Sequence, residues 1–178
     1  HAMSAPATRE ELKAKFAELG IEIASEDSHK AVMTCEEQVK VVSNPKATAK
    51  NLLFIDKKKK VFLCVVQAER KIDTKLLRKF LGAKGSLRFC GDSKKILGCE
   101  KGSLTAFGIG NDQTKKVAVL LDASFKGPAL VGLHPVGEAG NTATWCVKGS
   151  DLENFVTSYG NTCTVVDFDK LDVPTEKT

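Results

Sequence analysis

The sequence predicts an α+β fold built on a mixed β-sheet. Apolar runs of strand length outnumber the amphipathic helical stretches, and the two kinds do not alternate strictly, as a doubly wound parallel sheet would require. With 178 residues the chain favours one domain, large enough to bury a proper core. That domain is expected over residues 4–170. His1-Ala2-Met3 reads as a vector scar and stays out of the fold argument, and residues 171–178 read as a polar tail or linker stub.

Thr8-Arg-Glu-Glu11 is a capping box, with the acidic residue three positions after the N-cap threonine. Leu12, Phe16, Leu19 and Ile23 follow at helical spacing, and Gly20 is the expected stop. Ala31 to Thr34 suggests a short strand. Two apolar runs, Asn51 to Ile55 and Val61 to Val66, flank Asp56-Lys-Lys-Lys-Lys60 and predict a largely buried β-hairpin. Asp73 caps a second helix with Leu76, Leu77, Phe80 and Leu81 inward and Gly82 ending it. A strand at Leu87 to Cys90, a short helix at Ser93 to Gly98 and a loop at Gly102 to Gly110 come next. Strands are expected at about 116–124, 129–134 and 142–147. A second capping box, Ser150-Asp-Leu-Glu153, opens a helix ended by Gly160, and Thr164 to Phe168 is the last strand.

Composition narrows the function classes. No apolar run approaches the roughly 20 residues of a membrane span, and no signal-peptide core is visible at the start. The net charge of +5 only hints at a polyanionic partner. The six cysteines include no CxxC pair and several lie in apolar runs, which reads as reduced, mostly buried thiols of a cytoplasmic protein. With His1 set aside, only His29 and His134 remain as imidazole ligands, so no metal site is expected, and no cofactor.

Three segments are candidates for chemistry. The lysines 57–60 read as a solvated hairpin tip, which still adds long-range attraction to RNA. Lys50 is separate, set directly before an apolar strand. It is either an ordinary snorkelling edge lysine or a point charge for a phosphate or carboxylate at a pocket mouth. In GSLTAFGIGND, Gly102 to Asp112, three glycines allow close backbone approach and N–H groups aimed at an oxyanion; a tight helix-to-strand connection is the plainer reading. His134, in GLHP, follows a strand and is either a structural imidazole or one that orients substrate.

Taken in order, AKNLLFIDKKKKVFLC, LGAKGSLRFC, GSLTAFGIGND, ALVGLHP and NTAT resemble the YbaK/ProX family of aminoacyl-tRNA editing domains, from about Ala31 to Asp169. The resemblance is closest to the branch that removes alanine from mischarged tRNA for proline. It implies a mixed, barrel-like β-sheet with surrounding helices, and hydrolysis of the ester between an amino acid and the 3′-terminal adenosine. Lys50 matches the family's functional lysine, Gly102 the first glycine of its GxxxP loop, and His134 the histidine of its HP motif. Thr34, Asn51, Ser103, Leu104, Thr105 and Leu133 are expected to contact substrate. The implied partners are the acceptor end of tRNA for proline and prolyl-tRNA synthetase, in cis or in trans.

Two departures stand out. Ala106 occupies the loop's proline position, where restoring proline is expected to be tolerated. The stretch Val136 to Gly140 is longer than the pattern, and is expected to reach over the pocket or towards the tRNA. An activated ester needs no strong nucleophile; it needs a placed water, a held carbonyl and exclusion of the wrong side chain. Alternatives are the cysteine-removing branch and a non-catalytic tRNA-binding or assembly domain.

Overall fold

The computed structural model describes residues 4–172. The expected scar, residues 1–3, and residues 173–178 of the expected tail lie outside the described residues. The elements run α1 (Arg9–Leu19), β1 (Ser25–Ser28), α2 (Cys35–Gln38), β2 (Ala49–Ile55), β3 (Val61–Gln67), α3 (Thr74–Leu81), β4 (Arg88–Phe89), α4 (Ser93–Leu97), β5 (Ala118–Asp122), β6 (Leu130–Leu133), β7 (Ala143–Lys148), α5 (Gly149–Ser158) and β8 (Cys163–Val166). No described helix is long and apolar enough to cross a membrane.

Two sheets form. The larger has the order β4-β2-β3-β5-β8, antiparallel at β4/β2/β3 and parallel at β3/β5/β8. The smaller, β1-β7-β6, is antiparallel throughout. The expected mixed α+β architecture is therefore present. The strands do not close into a barrel among the described residues: the ladder between the two sheets is a single isolated parallel bridge, Thr48 to Gly132.

The apolar run of β3 follows from burial on both faces. Leu63 and Val65 join a core that draws on both sheets, α1 and α5; Phe62, Cys64 and Val66 join a second core under α3. The first centres on Phe16, Phe107 and Phe155, whose rings meet edge to face at 5.1–5.6 Å.

The Thr8 box forms, in shifted geometry: Thr8 Oγ1 accepts the Glu11 N–H, and Glu11 Oε2 accepts from Ala7, one residue before the cap. Gly20 closes α1 at φ +70° and Asp73 caps α3 as expected. Elsewhere the sequence misleads. Residues 31–34 are not a strand; Thr34 is the N-cap of α2. The strand lies earlier, in Ser25–Ser28, where an edge position needs no apolar residue. Leu76 is 36% exposed rather than inward, because the inner face of α3 is set by the fully buried Leu77.

The second capping box does not form. Lys148 is the N-cap of α5, without a side-chain bond, and the first N–H groups go to backbone: Gly149 to Ala129 and Ser150 to Gly127. Of the expected loop 102–110, the second half winds into a 3-10 helix, Ala106–Asn111. All six cysteines are free; Cys64, Cys99 and Cys146 are buried, and Cys35, Cys90 and Cys163 half-buried.

Candidate functional site

The start of β2, the N-terminus of α2 and the loop before Ala106 surround a cleft of about 510 Å³. Of the nine expected site residues, six line it: Thr34, Lys50, Asn51, Gly102, Leu104 and His134. Ser103 and Thr105 instead line a neighbouring depression beside Pro135 and Val136. The Thr105 hydroxyl is spent on the Phe107 N–H, capping the 3-10 helix. Leu133 is fully buried in the core opposite Trp145 and does not reach the cleft.

Lys50 stands across from Val66 in the hairpin and is half-buried. It makes no ion pair among the described residues. Its charge reaches the Cys35 thiol, whose pKa burial nevertheless raises, so that thiol is neutral. Glu36 is the one acidic side chain among the described residues of the lining.

Gly102 adopts φ +82°, a conformation that disfavours any side chain. The Ser103 N–H closes a turn onto Glu100 O, whereas the N–H groups of Gly102 and Leu104 make no hydrogen bond among the described residues. The loop is anchored at its far end, where the Ala106 N–H donates to Asn51 Oδ1 at 3.0 Å. That bond corrects the expectation about position 106. Proline is allowed at the first position of a helix, but it has no N–H to give Asn51.

His134 Nδ1 lies 2.9 Å from the Ala143 carbonyl. A carbonyl only accepts, so Nδ1 carries the proton and Nε2 of the neutral ring is a lone pair. Burial holds the His134 pKa below its usual value, against the Ala143 bond, and His29 lowers it further. The ring is therefore neutral at physiological pH and offers an acceptor.

The segment NTAT secures the opposite wall. Asn141 Nδ2 donates to Val32 O, and Thr144 Oγ1 is bonded by Gln38 Nε2 and His29 Nε2. The long stretch 136–140 does not line the cleft. Arg9 Nη2 of α1 holds it through Ala139 O and Thr142 Oγ1, and Gly137 packs on Ala7.

Met33, Cys35, Glu36 and Gln38 belong to the lining and were not expected there. A signal existed: Thr34-Cys-Glu-Glu37 is itself a capping box, and Glu37 Oε2 accepts the Met33 N–H as Glu11 does that of Ala7. No three metal-ligating side chains converge among the described residues.

The model of the aminoacyl-tRNA editing domain family matches residues 29–155. The chain is similar to the prolyl-tRNA editing protein ProX of Acetoanaerobium sticklandii, 35% identical over 138 residues, which cover 75% of this chain and 82% of that protein. It is also similar to prolyl-tRNA synthetase associated domain-containing protein 1 of Danio rerio, 30% identical over 166 residues, covering 90% and 88%. Among solved structures, a candidate trans-editing enzyme for prolyl-tRNA synthetase superposes with a TM-score of 0.64 over 93% of this chain and 98% of that one. At 17% identity that likeness bears on the fold alone.

Proposed function

The chain belongs to the aminoacyl-tRNA editing domain family, and from that premise we propose that it hydrolyses the ester joining alanine to tRNA for proline, serving prolyl-tRNA synthetase in cis or in trans. The observation that carries this reading is the convergence of Lys50, the Gly102 loop and His134 on one cleft.

Each group has a task that its geometry suits. A water attacks the ester carbonyl, and the carbonyl oxygen gains negative charge as the tetrahedral intermediate forms. The free N–H groups of Gly102 and Leu104 are donors for that oxygen. The neutral His134 Nε2 accepts a hydrogen bond from the water and orients it. Collapse of the intermediate breaks the bond to the 3′-oxygen, which takes up the proton given up by the attacking water and leaves as a hydroxyl, and alanine is released. Lys50 holds the terminal phosphate, turning binding into orientation. Its ammonium serves as a point charge for that phosphate and not as the base. Glu36 is placed to receive the α-ammonium of the amino acid. No step runs through a metal, and chelators are expected to leave the rate unchanged.

Single-turnover deacylation of alanyl- and cysteinyl-tRNA for proline tests the reading. Alanine release, lost in Lys50→Ala, is expected. Release of cysteine alone would assign the sister activity, and release of neither would leave a tRNA-binding domain.

A further inference from the structure

A second, larger groove of about 870 Å³ lies at the other end of β2. Its floor is apolar, with Ile55, Val61, Ile96 and Val117, and six lysines surround it: Lys58, Lys59, Lys60, Lys95, Lys115 and Lys116. All six are exposed, and none makes an ion pair among the described residues. Lys60 and Lys115 lie only over the rings of Phe62 and Tyr159.

Two copies of one device build this rim. Asp56-Lys-Lys-Lys-Lys-Val61 and Asp112-Gln-Thr-Lys-Lys-Val117 share the pattern Asp-x-x-Lys-Lys-Val. In each, the aspartate carbonyl accepts the N–H of the lysine three residues on, Lys59 at 3.1 Å and Lys115 at 3.3 Å. In each, the aspartate is buried and its carboxylate is occupied by local donors: Lys60 N and Lys84 N on Asp56, and Thr114 N, Thr114 Oγ1, Val117 N and Asn161 Nδ2 on Asp112. Neither carboxylate therefore pairs with a lysine of the rim.

The first lysine of the shared pattern is strained in both turns. Lys59 has φ +67° and Lys115 φ +57°, two of the three non-glycine residues with positive φ among those described. Glycine suits such positions better, and a side chain there costs about 1 kcal/mol or more. The turns also open directly onto β3 and β5, neighbouring parallel strands in which Phe62 stands beside Ala118. Lys60 and Lys116 lead into these two strands, one and two residues before them, where neighbouring strands run about 4.8 Å apart. Like charges so placed repel each other. Both features raise the energy of the free protein, and a bound polyanion relieves the repulsion.

We infer that this paired-turn groove binds the phosphate backbone of the tRNA substrate, at a distance from the ester. The identity of the RNA rests on the function proposed above. Lys50 in the cleft and Ile55 in the groove are five residues apart on β2, or about 17 Å. At about 3.4 Å per phosphate along a stacked strand, that is about five nucleotides from the 3′ end. The groove therefore engages the acceptor stem while the terminal adenosine sits in the cleft.

The test pairs binding with catalysis. A variant carrying Lys59→Gln, Lys60→Gln, Lys115→Gln and Lys116→Gln leaves the core and the cleft untouched. Its affinity for uncharged tRNA for proline, followed by fluorescence anisotropy, is expected to fall at least about tenfold. The slope of log affinity against log salt should flatten by about 3–4. On alanyl-tRNA its KM should rise, while an alanylated CCA trinucleotide, too short to reach the groove, is hydrolysed as by the wild type. Unchanged affinity and slope would overturn the inference. So would a variant that loses poly-glutamate binding but keeps tRNA, which assigns the groove to an acidic protein. A wild type that binds tRNA through these lysines yet hydrolyses neither substrate would sustain the groove and sink the proposed activity. Lys59→Gly with Lys115→Gly guards against misfolding: it should raise Tm while weakening tRNA binding, and a fall in both would make the lysines structural and overturn the inference.

Discussion

Asn51 Oδ1 accepts the backbone N–H of Ala106 at 3.0 Å, tying the strand that carries Lys50 to the loop that carries Gly102. The two halves of the cleft are thus registered through one side chain, and through an N–H that exists because position 106 is not proline. Ala106→Pro should fold, since it falls at the first residue of a 3-10 helix. It should nonetheless slow deacylation by about 10²-fold, the cost of a small misplacement of catalytic groups. Asn51→Ala should cost a similar factor, and the double variant little more than either, because both remove one interaction. Additive losses in single-turnover assays would break the tie between the two residues.

Much of this was legible in the sequence. The hairpin, α1, α3 and the helix at Ser93 announced themselves through apolar runs, Thr8, Asp73 and terminating glycines. The candidate lysine, glycine and histidine were singled out by motif order, and all three line one cleft. What was missed lacks a periodic signal. β1 is four polar residues held as an edge by pairing with β7. α2 is a single turn, visible only through Thr34 and Glu37. Leu133, adjacent to the motif histidine, points the opposite way because strand neighbours alternate faces. The Asn51–Ala106 bond spans 55 residues and leaves no local trace.

Lys50→Ala should lower deacylation by about 10²-fold or more with little change in Tm, because the residue makes no ion pair to lose. Circular dichroism and single-turnover rates on the same preparation decide it; a folded variant with the wild-type rate removes Lys50 from the mechanism.

Gly102→Ala and Ser103→Ala should separate backbone from side-chain chemistry. The first disturbs a loop at φ +82° and should cost about 10²–10³ in turnover, the loss of one oxyanion donor. The second removes the hydroxyl of a residue that lines the neighbouring depression and not the cleft, and should cost little. An added methyl at Gly102 would also meet Met33 Cε at 2.8 Å. Met33 is a flexible, 56% exposed side chain, so Met33→Ala should not rescue Gly102→Ala. Full rescue would mean that the glycine serves only to make room for the methionine.

Gly149→Ala should damage stability and spare chemistry. A Cβ there would lie 1.6 Å from Phe125 O, a backbone atom held in place by the connection between β5 and β6. Overpacking of this severity should cost about 3 kcal/mol or more. Tm should drop sharply, while the rate per folded molecule at low temperature stays at the wild-type value, since Gly149 does not line the cleft.

The last prediction concerns pH. His134 must be neutral for Nε2 to accept a hydrogen bond from water, and its pKa lies below the usual 6.5 because burial disfavours the imidazolium. The rate should therefore stay level as pH falls from 8 through 6.5, and decline only below, as the ring gains its proton. Stability follows the same sign. The folded protein binds this proton less readily than the unfolded chain, so the His134 contribution is complete above the unfolded value of about 6.5 and is lost as pH falls through the lowered folded value. His134→Gln removes the titration but keeps hydrogen-bonding capacity at the ring's place. Its rate should be lower than wild type at pH 7.5 and insensitive to pH between 7.5 and 5.5. A wild-type profile that already bends at or above 6.5, and still bends in His134→Gln, would assign the titration to another group and leave His134 a structural imidazole.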